Sequence, residues 1–177
     1  MIIPILIGVA VVIAIGVVLV MLRPADFRIS RSITIAAPAA AVFPEVNTLR
    51  NWEEWSPWAK IDPNVRNTYT GPASGDGAVF DWSGNNKVGA GRMTIVESQP
   101  DQRVRFRLEF LRPFKTTNTA EFLFTSDASK TDVNWSMWGK NNFFTKVFGL
   151  FVSMDRLIGK DFEKGLANLK TRVEQKQ

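Results

Sequence analysis

Arg103-Val104-Arg105-Phe106-Arg107-Leu108-Glu109-Phe110 alternates without a break. Val104, Phe106, Leu108 and Phe110 fall on one side of an extended chain, and the three Arg and Glu109 fall on the other. That is the period of a strand with one buried face. The stretch decides the fold because its neighbours repeat it with only short turns between. Upstream, Val65–Thr70 ends at Gly71-Pro72, Ala78–Ser83 ends at Gly84-Asn85-Asn86, and Val88–Ser98 ends at Gln99-Pro100-Asp101-Gln102. Downstream, Lys115–Thr125 places Ala120, Phe122 and Phe124 on one face, and Thr131–Gly139 does the same with Val133, Trp135 and Met137. Connections this short join antiparallel strands, since parallel ones need a long crossover.

Outward from this block, Phe27–Ile35 also alternates, with Arg31 the odd member of its apolar set. Two short helices follow: Ala39–Val46 behind Ala36-Ala37-Pro38, and Asn47–Trp58, where Leu49, Trp52 and Trp55 keep helical spacing. After the last strand, Val147, Leu150, Phe151, Met154, Leu157, Ile158, Phe162, Leu166, Leu169 and Val173 recur at three- and four-residue steps. They predict an amphipathic helix of about 25 to 30 residues. Gly159 and Gly165 inside it each cost about 1 kcal/mol against Ala, which points to close approach of another element. The fold class is α+β: one apolar sheet face, of about six or seven strands, must lie across the long helix. A curved sheet would leave a cavity between them.

The 177 residues include no Cys and no His and carry a net charge of +5. Disulfides, thiolate nucleophiles, His-based triads and imidazole-held metals are excluded, and neither a metal nor a cofactor is expected. Lys and Arg are interspersed with acids, so no nucleic-acid partner is expected. Ile2 to Leu22 contains no charged residue, and its length suits a transmembrane helix across a core of about 30 Å. No basic stretch precedes it and no small-x-small cleavage site follows, which favours a retained anchor over a signal peptide. Arg23, Arg28 and Arg31 follow the helix and predict a single-pass protein of the cell membrane with its carboxyl-terminal bulk in the cytoplasm. The expected organisation is an anchor and linker over 1–25 and one domain over 26–177.

The soluble part resembles the SRPBCC superfamily, the START and polyketide cyclase/dehydrase-like proteins, in its small bacterial branch with an amino-terminal membrane helix. The resemblance rests on Ile33-x-Ile35-x-Ala37-Pro38 running into Val42-Phe43, on Trp52-x-x-Trp55-Ser56-Pro57-Trp58 before Asp62-Pro63, and on Gly75-x-Gly77 before Trp82-x-Gly84 and Val88-Gly89-x-Gly91. Thr131-x-Val133-x-Trp135 and Gly159-x-x-Phe162-Glu163-x-Gly165-Leu166 complete it. It implies a helix-grip fold, a curved antiparallel sheet around the carboxyl-terminal helix, and an apolar pocket between the two. It leaves open whether the pocket carries a lipid or other hydrophobic molecule or converts one, as a cyclase or dehydratase does.

The expected ligand wall is Trp55, Phe80, Trp82, Phe106, Leu108, Phe122, Trp135, Met137, Phe151 and Met154. Aromatic-lined concavities suit apolar ligands, but the same Trp residues also suit core packing. Asn141–Phe151 is too apolar for an exposed helix start. It reads as a lid, an in-plane membrane contact or the buried start of the long helix. Arg103, Arg105 and Arg107 form a stripe for acidic headgroups or a solvated outer face. Asp62, Asp81, Glu97, Glu121, Asp155 and Tyr69 are the available acids and bases, and none shows a spacing that demands a catalytic pair. The inward faces carry almost no titratable group, which favours membrane-anchored binding of a hydrophobic molecule over metal-free cyclase or dehydratase chemistry.

Overall fold

A computed structural model describes residues 2–22, 24–127, 129–141, 146–147 and 153–176. The elements run α1 (Ile2–Met21), β1 (Asp26–Ile35), α2 (Ala39–Asn47), a 3-10 turn (Leu49–Asn51), α3 (Trp52–Trp55), β2 (Arg66–Thr70) and β3 (Val79–Ser83). Then come β4 (Ala90–Gln99), β5 (Arg103–Arg112), β6 (Thr116–Ser126), β7 (Thr131–Lys140) and α4 (Met154–Glu174). The seven strands form one antiparallel sheet in the order β1-β7-β6-β5-β4-β3-β2. Consecutive strands are neighbours except that β1 closes against β7. Register shifts between β4 and β5 at Ala90/Gly91 and Ile95/Glu97 increase the local twist.

The apolar period predicted on each strand is the buried one. Ile95, Val104, Phe106, Phe122, Val133 and Trp135 face a core completed by Phe162, Leu166, Leu169 and Val173 of α4. Both helix glycines are contact points. A Cβ on Gly165 would lie 2.8 Å from the Trp135 ring and 3.0 Å from Pro57. At Gly159 the obstacle is the Arg31 guanidinium. Arg31 has the inward parity of its strand because it reaches α4, pairing with Asp155 at 3.0 Å and Glu163 at 2.7 Å.

Three expectations change. The last helix is 21 residues, shorter than its apolar stripe, because the Ser153 side chain accepts a hydrogen bond from the Arg156 N–H and caps it there. The expected helix over Asn47–Trp58 is split into the 3-10 turn and α3. As for the membrane span, α1 is a 20-residue helix without charge. Several of its side chains lie outside the described set, and among the described residues no helix is long and apolar enough to cross a membrane.

The ends of the fold are tied by a buried carboxylate. Glu45 of α2 is 6 % exposed and binds Arg172 (2.7 Å) and Lys176 beyond α4. Burial alone would raise its pKa, but the hydrogen bonds from Lys176 and Arg172 outweigh burial and hold it below the usual value. A depressed carboxylate stabilises the fold above its unfolded-state pKa, and the gain fades as pH falls through the folded-state value. Glu45→Gln is therefore expected to cost about 1–3 kcal/mol near neutral pH. The deficit should shrink in acid, as read from urea midpoints of the full chain at a series of pH values.

Candidate functional site

Among the described residues, the inner face of the sheet has one half of fully buried rings and another half whose side chains are in large part only partly buried. In the first half, Trp52, Trp55, Phe106, Phe122, Trp135 and Phe162 pack ring on ring. Trp135 lies flat on Phe162 with centroids 4.0 Å apart and on Phe122 at 4.8 Å, and Trp55 meets its edge at 5.9 Å. The Trp55 indole N–H donates to the Glu45 carbonyl. Of the expected wall residues, Trp55, Phe106, Phe122 and Trp135 all belong to this core, each at most 2 % exposed.

The second half is organised by one register row that crosses every strand. Phe27 pairs with Gly139, Gly139 with Asn118, Asn118 with Leu108, Leu108 with Met93, Met93 with Phe80, and Phe80 with Tyr69. Phe27, Leu108, Phe80, Tyr69 and the neighbouring Trp82 are only partly buried against the core, whereas Met93 and Met137 are buried. Their rings form a chain: Tyr69 stacks on Phe80 at 5.0 Å, Phe80 meets Trp82 at 5.8 Å, and Trp82 meets Phe110 at 5.9 Å. Trp82 is held by its indole N–H on the Val88 carbonyl, and its ring occupies the place where a Gly91 side chain would sit. Phe80, Trp82, Leu108 and Met137 thus share this half. Phe151, the Met154 side chain and most of Asn141–Phe151 lie outside the described residues.

Asn118 is the polar member of the row. It is 7 % exposed, and its side-chain carbonyl oxygen has no hydrogen-bond partner. It lies over Gly139, where any side chain would strike it. The Trp135 indole N–H, at the border of the two halves, is also buried without a partner. Hollows lie at both ends of the row. One of about 430 Å³ is lined by Asp26, Phe27, Arg28, Trp138, Gly139 and Lys140. Another of about 230 Å³ runs along Leu49, Arg50, Tyr69, Gly71 and Val79. None of the eight expected wall residues with described side chains lines either hollow.

Apart from Tyr69, the candidate acids and bases point elsewhere. Asp62 accepts the Asn64 and Asn85 N–H groups and fixes a turn. Asp81 pairs with Arg92 at 2.7 Å. On the convex face, Arg105 binds Glu97 (2.6 Å) and Glu121 (2.7 Å), Arg103 binds Glu97 (3.2 Å), and Arg107 binds Glu109 (3.2 Å). The Arg stripe is thus neutralised by its own sheet, which favours the outer-face reading over a free site for acidic headgroups. Tyr69 donates its hydroxyl to Glu53 at 2.7 Å, with the Arg50 guanidinium 4.4 Å from its ring centre. Burial and that hydrogen bond push its pKa well above the ordinary phenol, so it stays protonated at neutral pH.

Sequence reasoning missed Asn118 and Phe27 as site residues. The parity of Ala120 and Phe122, carried two residues back, reaches Asn118. An unpaired buried acceptor costs about 1–3 kcal/mol. Asn118→Leu, of similar volume, is therefore expected to keep or raise the melting temperature of the unliganded full chain. A clear drop would mean that this oxygen is satisfied.

No curated protein matches the sequence. Solved structures share the fold at low identity. A hypothetical protein from Helicobacter pylori gives a TM-score of 0.64 at 13% identity, over 84% of this chain and 89% of that one. The Zhui aromatase/cyclase from Streptomyces sp. R1128 gives 0.61 at 12%, over 85% and 94%. A protein from Mesorhizobium loti gives 0.60 at 13%, over 85% and 99%. The family model described as polyketide cyclase / dehydrase and lipid transport matches residues 26–174, so the strand order, the helix grip and the sequence agree that the chain belongs to that family.

Proposed function

We propose that the domain binds a hydrophobic small molecule or lipid over the row from Phe27 to Tyr69, and that α1 tethers it to the cell membrane with the domain on the cytoplasmic side. The observation that carries the binding reading is the partly covered apolar row itself. Aromatic and aliphatic side chains line it, and a single buried amide, Asn118, provides a polar anchor. Apolar lining with few polar groups is the usual make-up of a small-molecule site. Family membership supports the same class of ligand. The tether is supported by an uncharged helix of 20 residues, about 30 Å long at 1.5 Å per residue, followed by Arg23 and Arg28.

A cyclase or dehydratase reading has one specific support, Tyr69, a protonated phenol at the edge of the row. The two readings separate experimentally. The full chain in mild detergent is expected to carry an extractable apolar molecule and, once stripped, to take up a fluorescent fatty acid. Leu108→Trp fills the row without adding charge and is expected to weaken uptake by roughly tenfold, about 1.4 kcal/mol, with the far-ultraviolet circular dichroism unchanged. Equal uptake by the variant overturns the proposed site. Loss of turnover of an aromatic polyketide in Tyr69→Phe, with uptake intact, would instead establish the enzyme.

A further inference from the structure

We infer that the turn between β5 and β6 docks on the bilayer surface, so that the open half of the concave face looks toward lipid; this rests on the reading of α1 as a membrane anchor. Residues 22–25 are the whole connection between α1 and β1, a reach of at most about 14 Å. The connection is also held to the sheet. The Asn141 backbone N–H donates to the Ala25 carbonyl at 2.7 Å, and its side-chain amide donates to the Pro24 carbonyl at 3.4 Å. The start of β1, the end of β7 and the β5–β6 turn lie at one end of the sheet, since Asp26 pairs with Lys140, Gly139 with Asn118, and Phe110 with Thr116. Phe114 stands four residues beyond Asn118, about 13 Å along the strand, and β6 is two strand spacings, about 10 Å, from β1.

That end is equipped for an anionic interface. Leu111 is 51% and Phe114 65% exposed, two apolar side chains close together at the same turn. Arg112 and Lys115 flank Phe114, Lys140 ends β7, and Lys87 tips the β3–β4 turn that Arg112 holds through Ser83 and Gly84. Apolar tips set among cations suit insertion between headgroups, with the cations on lipid phosphates. The hollow beside Phe27 and Gly139 opens at the same end.

The absence of native cysteine allows single nitroxide labels on the full chain in vesicles of phosphatidylcholine with phosphatidylserine. Labels are placed by Ile15→Cys, Phe114→Cys and Asp127→Cys, the last in the turn at the opposite end of the sheet. Collision with dissolved oxygen should exceed collision with an aqueous nickel complex several-fold at positions 15 and 114, and the ratio should reverse at 127. Omitting phosphatidylserine should draw position 114 toward water. Position 114 reading like 127 while 15 stays in lipid overturns the docking and leaves the anchor intact. An aqueous reading at 15 overturns both.

Discussion

The stack of Trp135 on Phe162 is the contact from which the rest of the molecule is set out. Two rings 4.0 Å apart and inclined by 4° fix the height of α4 above the sheet. Gly165 makes that height attainable, because any side chain there would push against the same indole. A helix seated this low fills one half of the concavity with rings from both sides. Aromatic pairs of this kind contribute beyond their buried area, and here they form a continuous cluster from Trp52 to Phe162.

On the strands that extend past that contact, several inner-face side chains are only partly buried among the described residues. The row from Phe27 to Tyr69 lies there, and so does the buried amide of Asn118. One packing decision thus yields a rigid core and an under-filled apolar surface in the same sheet. The convex side is settled independently. Arg103, Arg105, Glu97 and Glu121 neutralise one another across β4, β5 and β6, whereas among the described residues Arg112, Lys115 and Lys140 near the β5–β6 turn form no ion pair with an acid.

Strands such as β5 and β7 were legible because period-two alternation survives along them, and Phe80 and Trp82 were both placed in the wall from sequence. The start of α4 was not legible: the apolar spacing of Val147 and Leu150 continues the helical period through Ser153, and only the side-chain cap reveals the boundary. Arg31 stood out as an exception, but its partners Asp155 and Glu163 depend on the rotation of α4 about its axis, which no single strand encodes. Asn118 was hidden by the polar run of Thr116, Thr117 and Thr119, which blurs parity where it matters most. Whether a given Trp lines a pocket or plugs it depends on helix height. That is a property of Gly165 and Trp135 together, and of neither sequence segment alone.

The partnership of β1 with β7 has a consequence for the order in which the molecule comes together. Arg28 bonds Ser136 across 108 residues, and β1 has no other neighbour in the sheet. On a ribosome, the first strand emerges directly behind the apolar helix and then waits for the 108 residues that separate Arg28 from Ser136 before its backbone groups find their match. The β2–β6 meander, joined by short turns, can form during that interval at little loop-closure cost. The unpaired strand therefore remains an open edge until β7 has been made, and that closure of the sheet is also the step that fixes the start of the domain against its last strand.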